Sequence, residues 1–321
     1  MKIAFYGTKP YDRKYFDAVV GTHEIKYFEP RLTADTAKMA EGYDAVCIFV
    51  NDDAGTEVVK LLAKHGVKCI LLRCAGFNNV DMETAEKCGI QVLRVPSYSP
   101  EAVAEHAMTI AMSANRRIHK AYNKVRDNDY SLVGLSGVNL FGKIAGIIGT
   151  GKIGAAMIRI CKGFGMQVIA YDAFPNEALA KELHFTYVSL EEVLKTADLI
   201  SLHCPLLDNT YHMINKDTIA MMKQGVILVN TSRGGLIDTE DLIAGIKNNV
   251  FHAVALDVYE EESSLVFQDL SDTILEHTIT ARLLSFPNVL LTSHQGFFTM
   301  EALRAIAETT MKNADEAEKN F

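Results

Sequence analysis

The chain has 321 residues, of which 49% are hydrophobic and 22% charged, with a formal net charge of −8. That length exceeds one ordinary hydrophobic core, so two domains are expected. The acidic balance disfavours nucleic acid as a partner.

No apolar run approaches transmembrane length, and the N-terminus MKIAFYGTKPYD reads as a short strand entering a polar turn, so no membrane partner is expected. The six cysteines form no CxxC pair, and Cys47 and Cys69 sit inside apolar runs. This is the usage of a reducing compartment, and a cytoplasmic protein is expected. No His or Cys pair has metal-ligand spacing, so no metal site is expected.

Residues 1–99 alternate strand and helix patterns. Strands are expected at Lys2–Tyr6, Glu24–Phe28, Ala45–Val50, Lys68–Leu72 and Gln91–Val95, with helices at Gly55–Lys64 and Met82–Lys87 among others. Such alternation implies a parallel sheet covered on both faces. The turn GTKPYDR after the first strand has no phosphate-binding glycines, so this half is read as an α/β domain without its own dinucleotide site. Pro96 to Pro100 marks a boundary, because two prolines force extended backbone and Pro100 suits a first helical turn. Residues 101–125 carry apolar positions at helical spacing on more than one face. One long helix is expected there, packing on two partners and serving a subunit interface, with Arg116, Arg117, His119 and Lys120 as its solvated end.

The stretch from Lys143 to Asp172 has the order strand, glycine turn, helix, strand. The glycines of Gly149-Thr150-Gly151-Lys152-Ile153-Gly154 serve separate ends. Gly149 permits the tight turn, Gly151 lets backbone approach a pyrophosphate, and Gly154 lets helix pack on sheet. The helix start then offers free N–H groups to phosphates. Asp172 closes the second strand, where a carboxylate accepts from both ribose hydroxyls and repels a 2′-phosphate; NAD is therefore expected over NADP. From Ile144 onward six apolar runs recur, at 144–148, 167–171, 199–203, 226–230, 253–257 and 289–292, the count of a doubly wound Rossmann sheet. Residues 260–287 read as an irregular polar excursion, and 299–319 as a final helix.

Ligands of such sheets sit beyond the carboxyl ends of the strands. Three reactive groups pass that filter: Arg233 after the fourth run, Glu262 after the fifth with Asp257 nearer the strand, and His294 after the sixth. A guanidinium, a carboxylate and an imidazole suit hydride chemistry on an α-keto acid. Arg clamps the substrate carboxylate, His exchanges a proton near neutrality, and the acid steadies the imidazolium. Spacing alone does not choose among Glu260, Glu261 and Glu262, since a charge run is usually a solvated face. His203 and His106 are read as packing or hydrogen-bonded groups.

The blocks GTGKIG, HCPL, NTSRGGLID, ALDVYEEE and HQGFF, in this order, resemble the NAD-dependent D-2-hydroxyacid dehydrogenases. The first-half stretches CIFVNDD, LRCAGFNNVDM and RVPSYSPEAVAEHA are similar to its fermentative D-lactate dehydrogenases. The resemblance implies two Rossmann-like domains: a doubly wound NAD-binding domain, 100–295, and a flavodoxin-like substrate domain, 1–99 plus 296–321. It implies that Arg233 binds the substrate carboxylate, that His294 is the acid/base and that Glu262 is its partner. Backbone amides of Ala75, Gly76 and Phe77 would help hold the carboxylate, and Tyr98 and Phe297 would line the pocket. Lys152 and Ile153 would lie over the pyrophosphate, Cys204 and Pro205 near the adenosine, and Thr231, Arg233 and Asp257 around the nicotinamide and its ribose. NADH-dependent reduction of pyruvate to D-lactate by a homo-oligomer, dimer or tetramer, is the expected activity. The alternatives are a larger D-2-hydroxy acid, such as 2-hydroxyisocaproate or phenyllactate, and an NAD-sensing regulator of the same fold.

Overall fold

The computed structural model describes residues 1–262, 265–274 and 278–321. They form two compact units, Met1–Ser99 with Phe298–Phe321, and Pro100–Phe297. The chain thus returns to its first unit at Phe298, beside the expected position 296.

The first unit holds a five-stranded parallel sheet in the order β2-β1-β3-β4-β5. Its strands are β1 (Lys2–Phe5), β2 (Glu24–Tyr27), β3 (Ala45–Ile48), β4 (Cys69–Leu72) and β5 (Gln91–Arg94). This is the flavodoxin-like order. Every residue of β3 and β4 is buried, as a strand covered on both faces requires. The last helix, Met300–Glu318, starts at Thr299, whose hydroxyl accepts from the Ala302 amide, and packs its Ala302, Ile306 and Ala314 side on β4 and β5.

Just past β4, Arg73 is buried between two buried carboxylates, Asp12 and Asp52. Its Nε lies 3.8 Å from Asp12 Oδ1, and its guanidinium lies over Phe5 and Phe49. Asp52 in turn accepts from the amides of Leu32 and Phe49, at 2.7 and 2.6 Å. Burial raises the pKa of both acids, and the Arg73 charge opposes that rise.

The second unit contains seven parallel strands in the order β12-β11-β10-β9-β6-β7-β8. They are β6 (Ile144–Ile148), β7 (Gln167–Tyr171), β8 (Thr186–Tyr187), β9 (Leu199–Leu202), β10 (Val226–Asn230), β11 (Phe251–Leu256) and β12 (Val289–Leu291). Strand alternation divides the core in two. Ala145, Ile147, Ile227 and Val229 join one cluster, and Ile148, Val226 and Leu228 the other, on opposite faces of the sheet.

Three expectations are corrected. The sheet has a seventh strand, β8, because a two-residue edge pairing with β7 is too short to leave a sequence period. The long helix is two helices, Pro100–Asn115 and Ile118–Arg126, broken where Arg117 takes φ +54°. Arg117 is not a solvated end: its guanidinium donates to the carbonyls of Ala114 and His252 at 2.8 and 2.9 Å. The excursion 260–287 contains a helix, Thr278–Ser285, while 263–264 and 275–277 lie outside the described residues. Among the described residues no helix is long and apolar enough to cross a membrane.

The Arg73 cluster generates a stability prediction. Arg73→Met leaves two buried carboxylates without their cation, and should cost about 3–5 kcal/mol of unfolding free energy. Urea denaturation measures it; a loss below about 1 kcal/mol, within the range of an exposed pair, would show that the cation does not hold the two acids.

Candidate active site

The strand order of the second sheet reverses between β6 and β9, and the glycine turn sits at that reversal. Gly149 follows β6 with φ +91°, and a Cβ there would stand 2.6 Å from the Cys204 amide nitrogen. A Cβ on Gly154 would stand 2.0 Å from the Gly149 carbonyl oxygen, so the helix Lys152–Gly163 meets the turn backbone to backbone. Gly151 differs: nothing lies within 4 Å of its Cβ position, and no side chain caps the helix it starts. Among the described residues no side chain or turn carbonyl meets the first-turn amides at Lys152 and Ile153, as a pyrophosphate site needs. Thr231, at the end of β10, has a buried hydroxyl without a hydrogen-bond partner among the described residues. An open helix start and a buried polar atom left unpaired are what a dinucleotide would complete, so these residues fit NAD.

Asp172 ends β7 and is half-buried. Its Oδ2 accepts from the Thr150 amide at 2.6 Å and the Thr150 hydroxyl at 2.9 Å, and its Oδ1 from the Phe174 amide at 2.9 Å. Cys204 is half-buried with Sγ 3.6 Å from Met213 Sδ, and Pro205 is exposed.

The three reactive groups follow adjacent strands, β10, β11 and β12. Arg233 is half-buried; Asn230 donates to its carbonyl at 2.8 Å, and its own NH1 donates to the Ser232 carbonyl at 2.7 Å. Among the described residues it pairs with no carboxylate. A Cβ on the next residue, Gly234, would meet the Tyr259 carbonyl carbon at 2.3 Å, so the guanidinium loop and the loop of glutamates press together.

The glutamate run divides its work. Glu260 accepts from His212 Nε2 at 2.7 Å and from the Thr239 hydroxyl at 2.6 Å. Glu261 accepts from the Thr280 amide and hydroxyl at 3.0 and 2.7 Å. Glu262 faces His294, with Oε1 3.3 Å from Nδ1, while its Oε2 is buried without a partner among the described residues. Its orientation therefore leaves Nε2 of His294 as the nitrogen turned from the acid.

His294 sits at φ +50° and is held from below. Asp257 accepts from the amides of Gln295 and Gly296 at 2.9 and 2.8 Å, from the Thr292 hydroxyl at 2.6 Å, and lies 3.1 Å from His106 Nε2. Burial works to raise the Asp257 pKa, but the bonds from His106, Thr292 and Gln295 outweigh it and hold the acid down to about 2.

Phe297 is buried, with its ring 6.3 Å from that of Phe267, which lies 6.3 Å from His294. Sequence reasoning missed Phe267 and His212, since neither belongs to a periodic element. In the first unit, the carbonyls of Ala75, Gly76 and Phe77 are taken by Arg94, the Cys74 thiol and the Val80 amide. No acceptor meets their three amides among the described residues, and Tyr98 is half-buried.

Residues 108–296 match the D-isomer specific 2-hydroxyacid dehydrogenase, NAD binding domain. The chain belongs to the D-isomer-specific 2-hydroxyacid dehydrogenases. It is 50% identical over 321 residues to D-lactate dehydrogenase of Escherichia coli, covering 99% of this chain and 97% of that one. The apo-structure of that enzyme superposes with a TM-score of 0.91 at 49% identity, covering 100% and 98% of the two chains. The Aquifex aeolicus D-lactate dehydrogenase complexed with NAD and lactic acid is similar at 30% identity and a TM-score of 0.87, covering 99% and 96%. A D-2-hydroxyisocaproate dehydrogenase is similar at 31% and 0.86, covering 100% and 98%. As an NAD-dependent enzyme of this family, the chain is a D-lactate dehydrogenase or a related D-2-hydroxyacid dehydrogenase.

In this dehydrogenase the crevice wall carries its own pH signature. His203, whose Nε2 lies 2.9 Å from Ser201 Oγ, has its pKa pushed by burial to about 4. Below about pH 6.5 the unfolded chain takes up a proton that the native ring refuses, so stability is lost as pH falls from there to about 4. The stability margin of wild type over His203→Asn should shrink by roughly 1–3 kcal/mol across that window. Denaturation series at several pH values test this; a constant margin would mean that the ring is open to water.

Proposed function

We propose that the chain reduces pyruvate to D-lactate with NADH, regenerating NAD in fermentation. The observation that carries this reading is the His294–Glu262 pair, 3.3 Å apart, beside a half-buried Arg233 that no carboxylate neutralises among the described residues. A half-buried guanidinium without a carboxylate partner is poised for an anionic substrate, and its fork matches a carboxylate.

Arg233 holds the substrate carboxylate and polarises the keto oxygen. Glu262 accepts from Nδ1 of His294 and fixes the ring with Nε2 turned from the acid. Bound NADH supplies the hydride. His294 gives its Nε2 proton to the keto oxygen as negative charge gathers there, a preorganised acid whose reverse role is to accept that proton from D-lactate. Phe297 lines the pocket around the methyl group, and Phe267 adds a wall beside His294. Asp172 accepts from the ribose hydroxyls, Lys152 and Ile153 face the pyrophosphate, Cys204 and Pro205 flank the adenosine, and Thr231 and Asp257 stand around the nicotinamide.

The working form is a homo-oligomer. Ile118, Tyr122 and Val125 form an exposed apolar stripe on a helix that buries none of its own residues, which supports a subunit interface there. Six free thiols support a cytoplasmic setting.

The test is kcat/KM with NADH across pyruvate, 2-ketoisocaproate and phenylpyruvate. Pyruvate should lead; a lead for either larger acid would assign the chain to that substrate, and no turnover of any would favour an NAD-sensing regulator. Arg233→Gln should lower kcat/KM for pyruvate by about a hundredfold or more, since a desolvated carboxylate loses its only bidentate cation. A variant that keeps most of its activity would sink the assignment of Arg233.

A further inference from the structure

Asp172 does not stand alone at the end of β7. Its Oδ2 takes both the amide and the hydroxyl of Thr150, at 2.6 and 2.9 Å. A carboxylate only accepts, so the Thr150 hydroxyl spends its single proton there. In its 2.7 Å contact with Tyr187, Thr150 must therefore accept, and the phenol donates. The phenol oxygen accepts in turn from the Asn176 amide at 3.1 Å. Every donor in this chain points the same way, from Asn176 through Tyr187 and Thr150 to Asp172, so each bond polarises the next.

The fold explains why Tyr187 is available. It lies on the edge strand β8, paired with Ala170 of β7, and its ring stands edge-on to Phe185 at 4.9 Å. Thr150 is buried. The Thr150 hydroxyl is thereby held between Asp172 and Tyr187.

We propose that Thr150 and Tyr187 are positioning residues for cofactor selection, which act by pinning the Asp172 carboxylate. This rests on the reading that Asp172 faces the adenosine ribose. A free aspartate could rotate away from an incoming 2′-phosphate and soften the repulsion. One held on both oxygens, by Thr150 and by the Phe174 amide at 2.9 Å, keeps its charge in place. The discrimination between NADH and NADPH then depends on groups that touch neither cofactor.

Equilibrium titration of NADH and NADPH, followed by calorimetry without substrate, reads the ratio of the two dissociation constants directly. Tyr187→Phe removes one oxygen and keeps the ring. Thr150→Val removes the hydroxyl, and Thr150→Ser keeps it. Tyr187→Phe and Thr150→Val should each cut the preference for NADH by about threefold to tenfold, the effect of one hydrogen bond. Thr150→Ser should stay near wild type. A purely structural role would weaken both cofactors alike and leave the ratio unchanged, which overturns the proposal. Should Thr150→Val fail to fold, Tyr187→Phe decides by itself. Asp172→Asn separates the two levels: if it collapses the ratio while Tyr187→Phe does not, the relay is wrong. If Asp172→Asn also leaves the ratio intact, the ribose assignment falls and the relay with it.

Discussion

The close approach of backbone to backbone at the glycine turn is the constraint on which the second unit depends. Gly149 touches the chain leaving β9, and Gly154 touches Gly149, at separations that exclude any Cβ. Two strands, a turn and a helix start are thereby brought to one point of the sheet. Only at Gly151 does the same loop open outward, with nothing within 4 Å of its Cβ position. The turn is closed where it supports the fold and open where it would receive phosphate, and both properties come from the same residue type.

A second principle governs the rim. Its reactive groups lie on loops, but each loop is tied down by bonds that leave the reactive atoms free. Asp257 holds the loop of His294 by two amides and the Thr292 hydroxyl, while the imidazole is left to Glu262. Asn230 holds the Arg233 carbonyl and leaves most of the guanidinium unspent. Precision in such a site comes from the supporting layer, since a loop gains rigidity only from the bonds made behind it.

Much of this was legible in the residues. The glycine spacing, the apolar runs and the rule that ligands gather at strand ends brought Arg233, Asp172 and His294 forward. Sequence spacing did not separate Glu260, Glu261 and Glu262, because three adjacent carboxylates differ only in what meets them in space: His212, Thr280 and His294. β8 escaped because two residues carry no period, and with it went the Tyr187 relay. The break at Arg117 escaped for another reason. Its helical pattern continues across the kink, and what bends the chain is a guanidinium bound to the carbonyl of His252, far away in sequence. Arg73, too, would have been taken for a surface residue, since burial of an arginine is decided by Asp12 and Asp52 rather than by its neighbours in the chain.

The contact between Gly234 and Tyr259 ties the loop of Arg233 to the loop of the glutamates. No side chain fits between them, so neither loop has freedom to change length or path while the other stays. In recombination between distant relatives, or in grafting this rim onto another scaffold, the segments around Arg233 and Glu262 form one heritable unit. A crossover falling between them would join two halves that never fitted each other, even with every reactive residue retained.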